Sequence, residues 1–159
     1  MRYKMRGKVF EEINTGDEFT TGARTVTEAD VINFAGVSGD FQPEHMNDEF
    51  ATQGALGGRI AHGLLVLAMA TGLLNQTGVT EGTTIALMEM KVRFINPVRF
   101  GDTITVVAHV TGKRETKKPD RGVVTLAATV LNQHDVPVLE AEWPIMVYRK
   151  SHVPGEFEG

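Results

Sequence analysis

Two short segments hold the residues best able to exchange protons or steady a negative charge. The first, FAGVSGDFQPEHMNDEFA (34–51), sets Asp40 and His45 five residues apart. On a straight helix that spacing would point the side chains roughly 140° apart, and Pro43 disfavours helical backbone at Gln42. The two groups can meet only across a bend, which Gly39 and Pro43 supply. A carboxylate and an imidazole converging on one water form a general acid–base pair. The same residues also fit a plainer arrangement, with Asp40 capping a turn and His45 packed or exposed.

The second segment, GGRIAHGLLVLAMATGLL (57–74), leads through glycines into an apolar helix expected over roughly 60–76. The first N–H groups of a helix lack intrahelical partners. A start near Ile60 or Ala61 leaves the amides of His62 and Gly63 among them. Gly63 carries no side chain, so a carbonyl could approach its N–H closely, with the positive end of the helix dipole behind it. That is the geometry of an oxyanion hole. Gly63 would equally serve tight helix packing.

Other elements must position these groups. Residues 18–26 suggest a first strand. Thr27 and Asp30 resemble a capping box ahead of a short amphipathic helix to about Val37. Asn47 is a plausible N-cap for another short helix. The helix over 60–76 is apolar in almost every direction, which predicts protein on all sides of it. Met88, Met90, Val92 and Phe94 alternate with Glu89, Lys91 and Arg93, the period of a strand. Further strands fit 103–110, 123–131 and 138–148, with Pro144 demanding an edge or a bulge. Helices followed by clustered strands argue α+β, with a long central helix wrapped by a curved, mainly antiparallel sheet.

The chain has 159 residues, 42% hydrophobic and 23% charged, which suits one folded domain. We expect that domain over 1–150 and a loose, proline- and glycine-containing tail over 151–159. A net charge of −4 gives no electrostatic case for nucleic acid. Without cysteine there is no disulfide, thiolate chemistry or cysteine-ligated metal. The longest apolar run, 60–74, is short of the ~20 residues a membrane span needs. With no signal-peptide pattern evident, a cytoplasmic protein with no membrane association is expected.

Taken together, the two segments resemble the MaoC-like dehydratases and (R)-specific enoyl-CoA hydratases of the hot-dog fold. That family carries D-x-N-P-x-H, then a glycine-rich turn and a helix opening with H-G. The counterparts are Asp40-Phe41-Gln42-Pro43-Glu44-His45 and Arg59-Ile60-Ala61-His62-Gly63-Leu64, and "VRFINPVRFGDTITV" (92–106) looks like the family's strand–turn–strand segment. The resemblance covers roughly residues 15–148. It implies a single hot-dog domain that hydrates trans-2-enoyl thioesters reversibly to (R)-3-hydroxyacyl products. Asp40 and His45 would form the catalytic dyad, and the Gly63 amide would bind the thioester oxygen. Gln42, His62, Leu65 and Thr71 become candidates for substrate contact.

The same resemblance implies no cofactor, coenzyme A entering only as part of the substrate. The thioester would arrive on coenzyme A or a carrier protein, and the protein would form a homodimer or larger homo-oligomer. His45 and His62 are 17 apart, a spacing that fits no recognised metal pattern, so no metal is expected. Gln42 stands where the family has asparagine, and Glu44 where an apolar residue is usual. Thioester hydrolysis and non-catalytic acyl-thioester binding are the alternatives on the same scaffold. Lys113, Arg114, Lys117, Lys118 and Arg121 surround a predicted hairpin tip that is either a solvated turn or a phosphate clamp.

Overall fold

The computed structural model describes residues 6–154. A 3₁₀ turn at Phe10–Glu12 precedes the short strands β1 (Glu18–Thr20) and β2 (Arg24–Thr25). Four helices follow: α1 (Glu28–Ser38), α2 (Pro43–Met46), α3 (Asp48–Gln53) and α4 (Gly63–Gln76). The second half supplies β3 (Thr84–Leu87), β4 (Lys91–Phe94), β5 (Thr103–Glu115), β6 (Arg121–Leu131) and β7 (Pro137–Tyr148). All pairings are antiparallel, in the order β1-β5-β6-β7-β3, with β2 also on β5 and β4 also on β7.

Local chemistry sets the helix boundaries. Thr27 Oγ1 accepts the Asp30 N–H at 3.2 Å and Asp30 Oδ2 accepts the Thr27 N–H at 2.9 Å, closing the expected capping box. α1 stops where Gly39 turns left-handed (φ 78°) and donates its N–H to the Ala35 carbonyl. Pro43, read from the sequence as part of a bend, opens α2 at its first position, where a missing N–H costs nothing. Asn47 caps α3 through the Phe50 N–H at 3.1 Å.

The sheet grips α4, with Leu65, Val66, Met69, Ala70 and Leu73 joining Val106, Ala108, Val124, Leu139 and Trp143 in one core. The grip is one-sided. Leu64 is 61% exposed and Ala68 is also open, so the prediction of protein all around this helix fails for a single chain.

Two expected strands differ: the one over 88–94 begins only at Lys91, behind an unforeseen strand at Thr84–Leu87. Residues 88–90 separate β3, which ends at Leu87 opposite Ile145, from β4, which begins at Lys91 opposite Glu142. Three residues thus face Trp143 and Pro144, a bulge. Pro144 has no N–H to donate, yet its carbonyl accepts from Met88 N–H at 3.1 Å. Likewise residues 18–26 form two strands, because Thr21 turns inward and its Oγ1 accepts the Val106 N–H at 3.0 Å. Of the expected loose tail, Lys150–His152 is a 3₁₀ turn, with the Lys150 N–H bonded to Glu11, and 155–159 lie outside the described residues.

Candidate active site

Asp40 leaves the end of α1 just after the left-handed Gly39, and His45 sits one turn inside α2. The bend between them is tied by two main-chain donors: the Gln42 N–H donates to the Asp40 side-chain Oδ1 at 3.4 Å, and the His45 N–H to the Gln42 carbonyl at 3.0 Å. The extended segment before α4 then crosses this bend. Ile60 donates its N–H to the Glu44 carbonyl at 3.2 Å, and its own carbonyl holds His45 Nδ1 at 2.8 Å. Two residues on, His62 Nε2 lies 2.8 Å from the Asp40 main-chain carbonyl.

The result is a compact cluster in which ring nitrogens of His45 and His62 and a carboxylate oxygen of Asp40 all lie within 4.8 Å of one another. Both histidines are buried, and their rings stack with centres 3.8 Å apart at 33°. Phe34 covers the His62 ring from α1 at 5.0 Å.

A carbonyl oxygen only accepts hydrogen bonds, so His45 Nδ1 and His62 Nε2 are the protonated nitrogens. Neutral His45 therefore keeps Nε2 as its acceptor. Neutral His62 keeps Nδ1, which is buried without a hydrogen-bond partner among the described residues.

These residue types also hold metals, despite the 17-residue spacing. The ring centres lie only 3.8 Å apart, and each histidine already places one ring nitrogen on a main-chain carbonyl.

Gly63 is the first residue of α4, with His62 as the N-cap, two to three residues later than the sequence suggests. Its amide belongs to the first turn and has no intrahelical acceptor. Gly63 lines a cleft of about 380 Å³ whose walls include Leu56, Ile60, Leu64, Phe94, Val98 and Leu139. The lining is chiefly apolar, suited to an acyl chain. Asp40 and His45 do not line it; Ile60 joins the two regions, holding His45 through its carbonyl while forming part of the cleft wall.

The remaining predicted contacts divide. Gln42 is exposed and meets Asp40 through its main-chain N–H. Leu65 is in the core, while its neighbours Leu64 and Val66 line the cleft. Thr71 lies eight residues beyond Gly63, roughly 12 Å along the helix, and its hydroxyl donates to the Ala68 carbonyl at 2.8 Å. The basic residues do surround the β5–β6 hairpin tip. That tip adjoins Tyr148, nine residues along β7 from the cleft residue Leu139 and hence roughly 30 Å away. None of these basic residues lines the cleft.

The sequence reading missed Phe34 and Phe94. Phe34 is an apolar position on an amphipathic helix, and Phe94 one on a strand, with no local signal that either ring meets the site. A Cβ on Gly63 would come within 2.7 Å of the Phe94 ring.

A family profile described as the MaoC like domain matches residues 11–132. The chain belongs to this MaoC-like family. It is 44% identical over 114 residues to Protein MaoC of Klebsiella aerogenes, covering 72% of this chain but only 33% of that protein, so it spans about a third of that relative's length. It is 33% identical over 138 residues to the (R)-specific enoyl-CoA hydratase of Rhodospirillum rubrum, covering 87% and 90% of the two chains.

Among solved structures, the monoamine oxidase regulatory protein of Archaeoglobus fulgius superposes with a TM-score of 0.85 at 36% identity, over 91% of this chain and 96% of that one. A Mycobacterium tuberculosis protein described as a double hotdog fold gives a TM-score of 0.81 at 21% identity, over 99% of this chain and 48% of that one. The helix wrapped by a curved sheet is a hot-dog fold.

Proposed function

We propose that this MaoC-like protein adds water reversibly across a trans-2-enoyl thioester, giving the (R)-3-hydroxyacyl thioester. The observation that carries this reading is the meeting of Asp40 and His45, joined through Ile60 to an apolar cleft that is also lined by the helix-start residue Gly63. The similarity to an (R)-specific enoyl-CoA hydratase over most of both chains supports it.

The chemistry divides along the same lines. The thioester oxygen accepts the Gly63 N–H, and the acyl chain lies along the apolar walls. As water adds to C3, charge moves onto that oxygen, where the amide and the helix dipole stabilise it. Asp40 and His45 share the proton work, drawing a proton from the water and returning one to C2. His45, fixed by Ile60, presents Nε2 in the acceptor form when neutral. Balance needs no redox partner, because the added water supplies both the hydroxyl and the C2 proton. Coenzyme A or a carrier protein enters only as the thiol part of the substrate.

A second copy of the chain fits the exposed side of α4. Leu64 and Ala68 are exposed along that side of the helix, which has no covering layer in a single chain. We infer at least a homodimer, and a concentration-independent monomer in sedimentation would overturn that. No helix among the described residues is long and apolar enough to cross a membrane.

The deciding assay follows enoyl absorbance and free thiol together across enoyl-CoA chain lengths. Hydration removes the absorbance with the thioester intact, whereas released thiol means hydrolysis. Asp40→Asn and His45→Ala should each lower kcat/KM by about 10²-fold or more. Binding of thioester without turnover by the wild type would overturn the proposal.

A further inference from the structure

The basic hairpin contributes no residue to the cleft lining, which raises the question of which cation adjoins it. Three arginines adjoin cleft-lining residues in the sequence. Arg59 is bonded to Glu28 and Asp48, and Arg93 to Glu140. Arg99 is exposed and pairs with no carboxylate among the described residues. The carboxylate nearest to it in sequence, Asp102, is already occupied by the Arg99 main-chain N–H and by Gln133 Nε2.

The position of the Arg99 side chain is fixed from both ends. Its backbone follows Val98, which lines the cleft and accepts the Ala61 N–H at 2.8 Å. Its guanidinium donates Nη2 to the carbonyl of Leu56, another cleft residue. It lies over Gly58, where a Cβ would stand 3.3 Å from Nη1. One contact to a neutral carbonyl leaves most of its five N–H donors unused. An uncompensated, held guanidinium is thus mounted on the rim of an apolar cleft, one residue beyond Val98, the partner of Ala61. Arginine is suited to phosphate because its planar fork can form paired charge-assisted bonds.

The geometry points to Arg99 as the residue that binds a phosphate of the thiol carrier, one joined to the thioester by the pantetheine arm. The inference deepens the proposed activity and rests on thioester occupancy of the cleft. It does not require that the bound thioester react. The same phosphate chemistry is offered by coenzyme A and by the phosphopantetheine arm of a carrier protein.

The test therefore reads binding, by calorimetry on the full chain, with three saturated ligands that cannot be hydrated. Hexanoyl-CoA carries the nucleotide and its phosphates, hexanoyl-4′-phosphopantetheine a single phosphate, and hexanoyl-pantetheine none. Arg99→Gln should weaken hexanoyl-CoA by about tenfold or more, as expected for a lost charge-assisted bond, and leave hexanoyl-pantetheine within twofold. Arg99→Lys, which keeps the charge but not the fork, should fall between. Added salt should weaken wild-type binding of hexanoyl-CoA more than that of the variant.

Equal weakening of hexanoyl-phosphopantetheine supports the phosphate shared with carrier proteins; weakening confined to hexanoyl-CoA supports the nucleotide's phosphates. Equal loss for all three ligands would make Arg99 a brace for the 54–58 loop and overturn the inference. Unchanged affinities, or no wild-type affinity for hexanoyl-CoA, would overturn it too. Absence of hydration alongside Arg99-dependent binding would remove the proposed reaction and leave this inference standing.

Discussion

Substituting Gly63 by alanine probes the proposed oxyanion site with a single methyl group. The added Cβ would lie 2.7 Å from Cε1 and 2.8 Å from Cδ1 of Phe94, distances that force a shift. The ring can yield, because Phe94 is 56% exposed on the edge strand β4. Folding should therefore survive, with a change in unfolding free energy within about 1 kcal/mol. Catalysis should not survive intact. The methyl group and the displaced ring occupy the approach to the Gly63 amide, and losing one oxyanion donor costs about 2.7–4 kcal/mol, or 10²–10³-fold in kcat.

Loss of enoyl absorbance measures that rate, with circular dichroism and thermal melting as folding controls. Adding Phe94→Ala separates two causes. Recovery in the double variant would assign the block to the ring; persistence would assign it to the methyl group beside the amide. A folded Gly63→Ala protein with kcat/KM within threefold of wild type would refute the placement of the carbonyl against this amide.

Other consequences concern positions whose surroundings are equally definite. Thr71→Val should leave kcat/KM within twofold, because the hydroxyl is bonded to Ala68 two turns from Gly63; a tenfold rise in KM would return Thr71 to the substrate. Thr27→Ala removes the acceptor of the Asp30 N–H and should cost about 1 kcal/mol in urea unfolding. Asp30 gives the same cap a pH signature. Partial burial pushes its carboxyl up, but hydrogen bonds from Thr27 and the Arg24 charge outweigh this and hold it below the ordinary 3.8. A depressed native pKa contributes stability above the unfolded-state value and loses it as pH falls through the native one, so Asp30→Asn should flatten the stability loss below about pH 4.

Much of this architecture is legible in the sequence because the deciding interactions are local. The Thr27–Asp30 box, the Asn47 cap and the left-handed Gly39 each act within four residues, and each appears where its residue type suggests. The bend that brings Asp40 towards His45 is of the same kind. The errors arise where distant partners decide. The apolar residues of α4 do not disclose that the Leu64 side lacks a covering layer in one chain. Pro144 announces a bulge or an edge in its own strand, but the alternation over 88–94 gives no hint that this irregularity falls opposite residues 88–90 and delays the strand to Lys91. The basic cluster reads correctly as a hairpin tip, but only the register of β6 on β7 shows how far from the cleft it stands.

The site also shows why its key residues are tied to one another and not merely to the fold. His45 takes its protonated nitrogen from the Ile60 carbonyl, and His62 takes its own from the Asp40 carbonyl. The segment that leads to the Gly63 amide therefore fixes the imidazole, while the residue carrying the carboxylate fixes the entrance to that segment. A shift of the helix start would move the amide, turn His45 and loosen Asp40 together. His62 is the link, buried at 2% exposure and stacked between His45 and Phe34. On this argument His62 positions the other three groups without needing to touch the thioester, and its importance comes from its place between two main-chain segments.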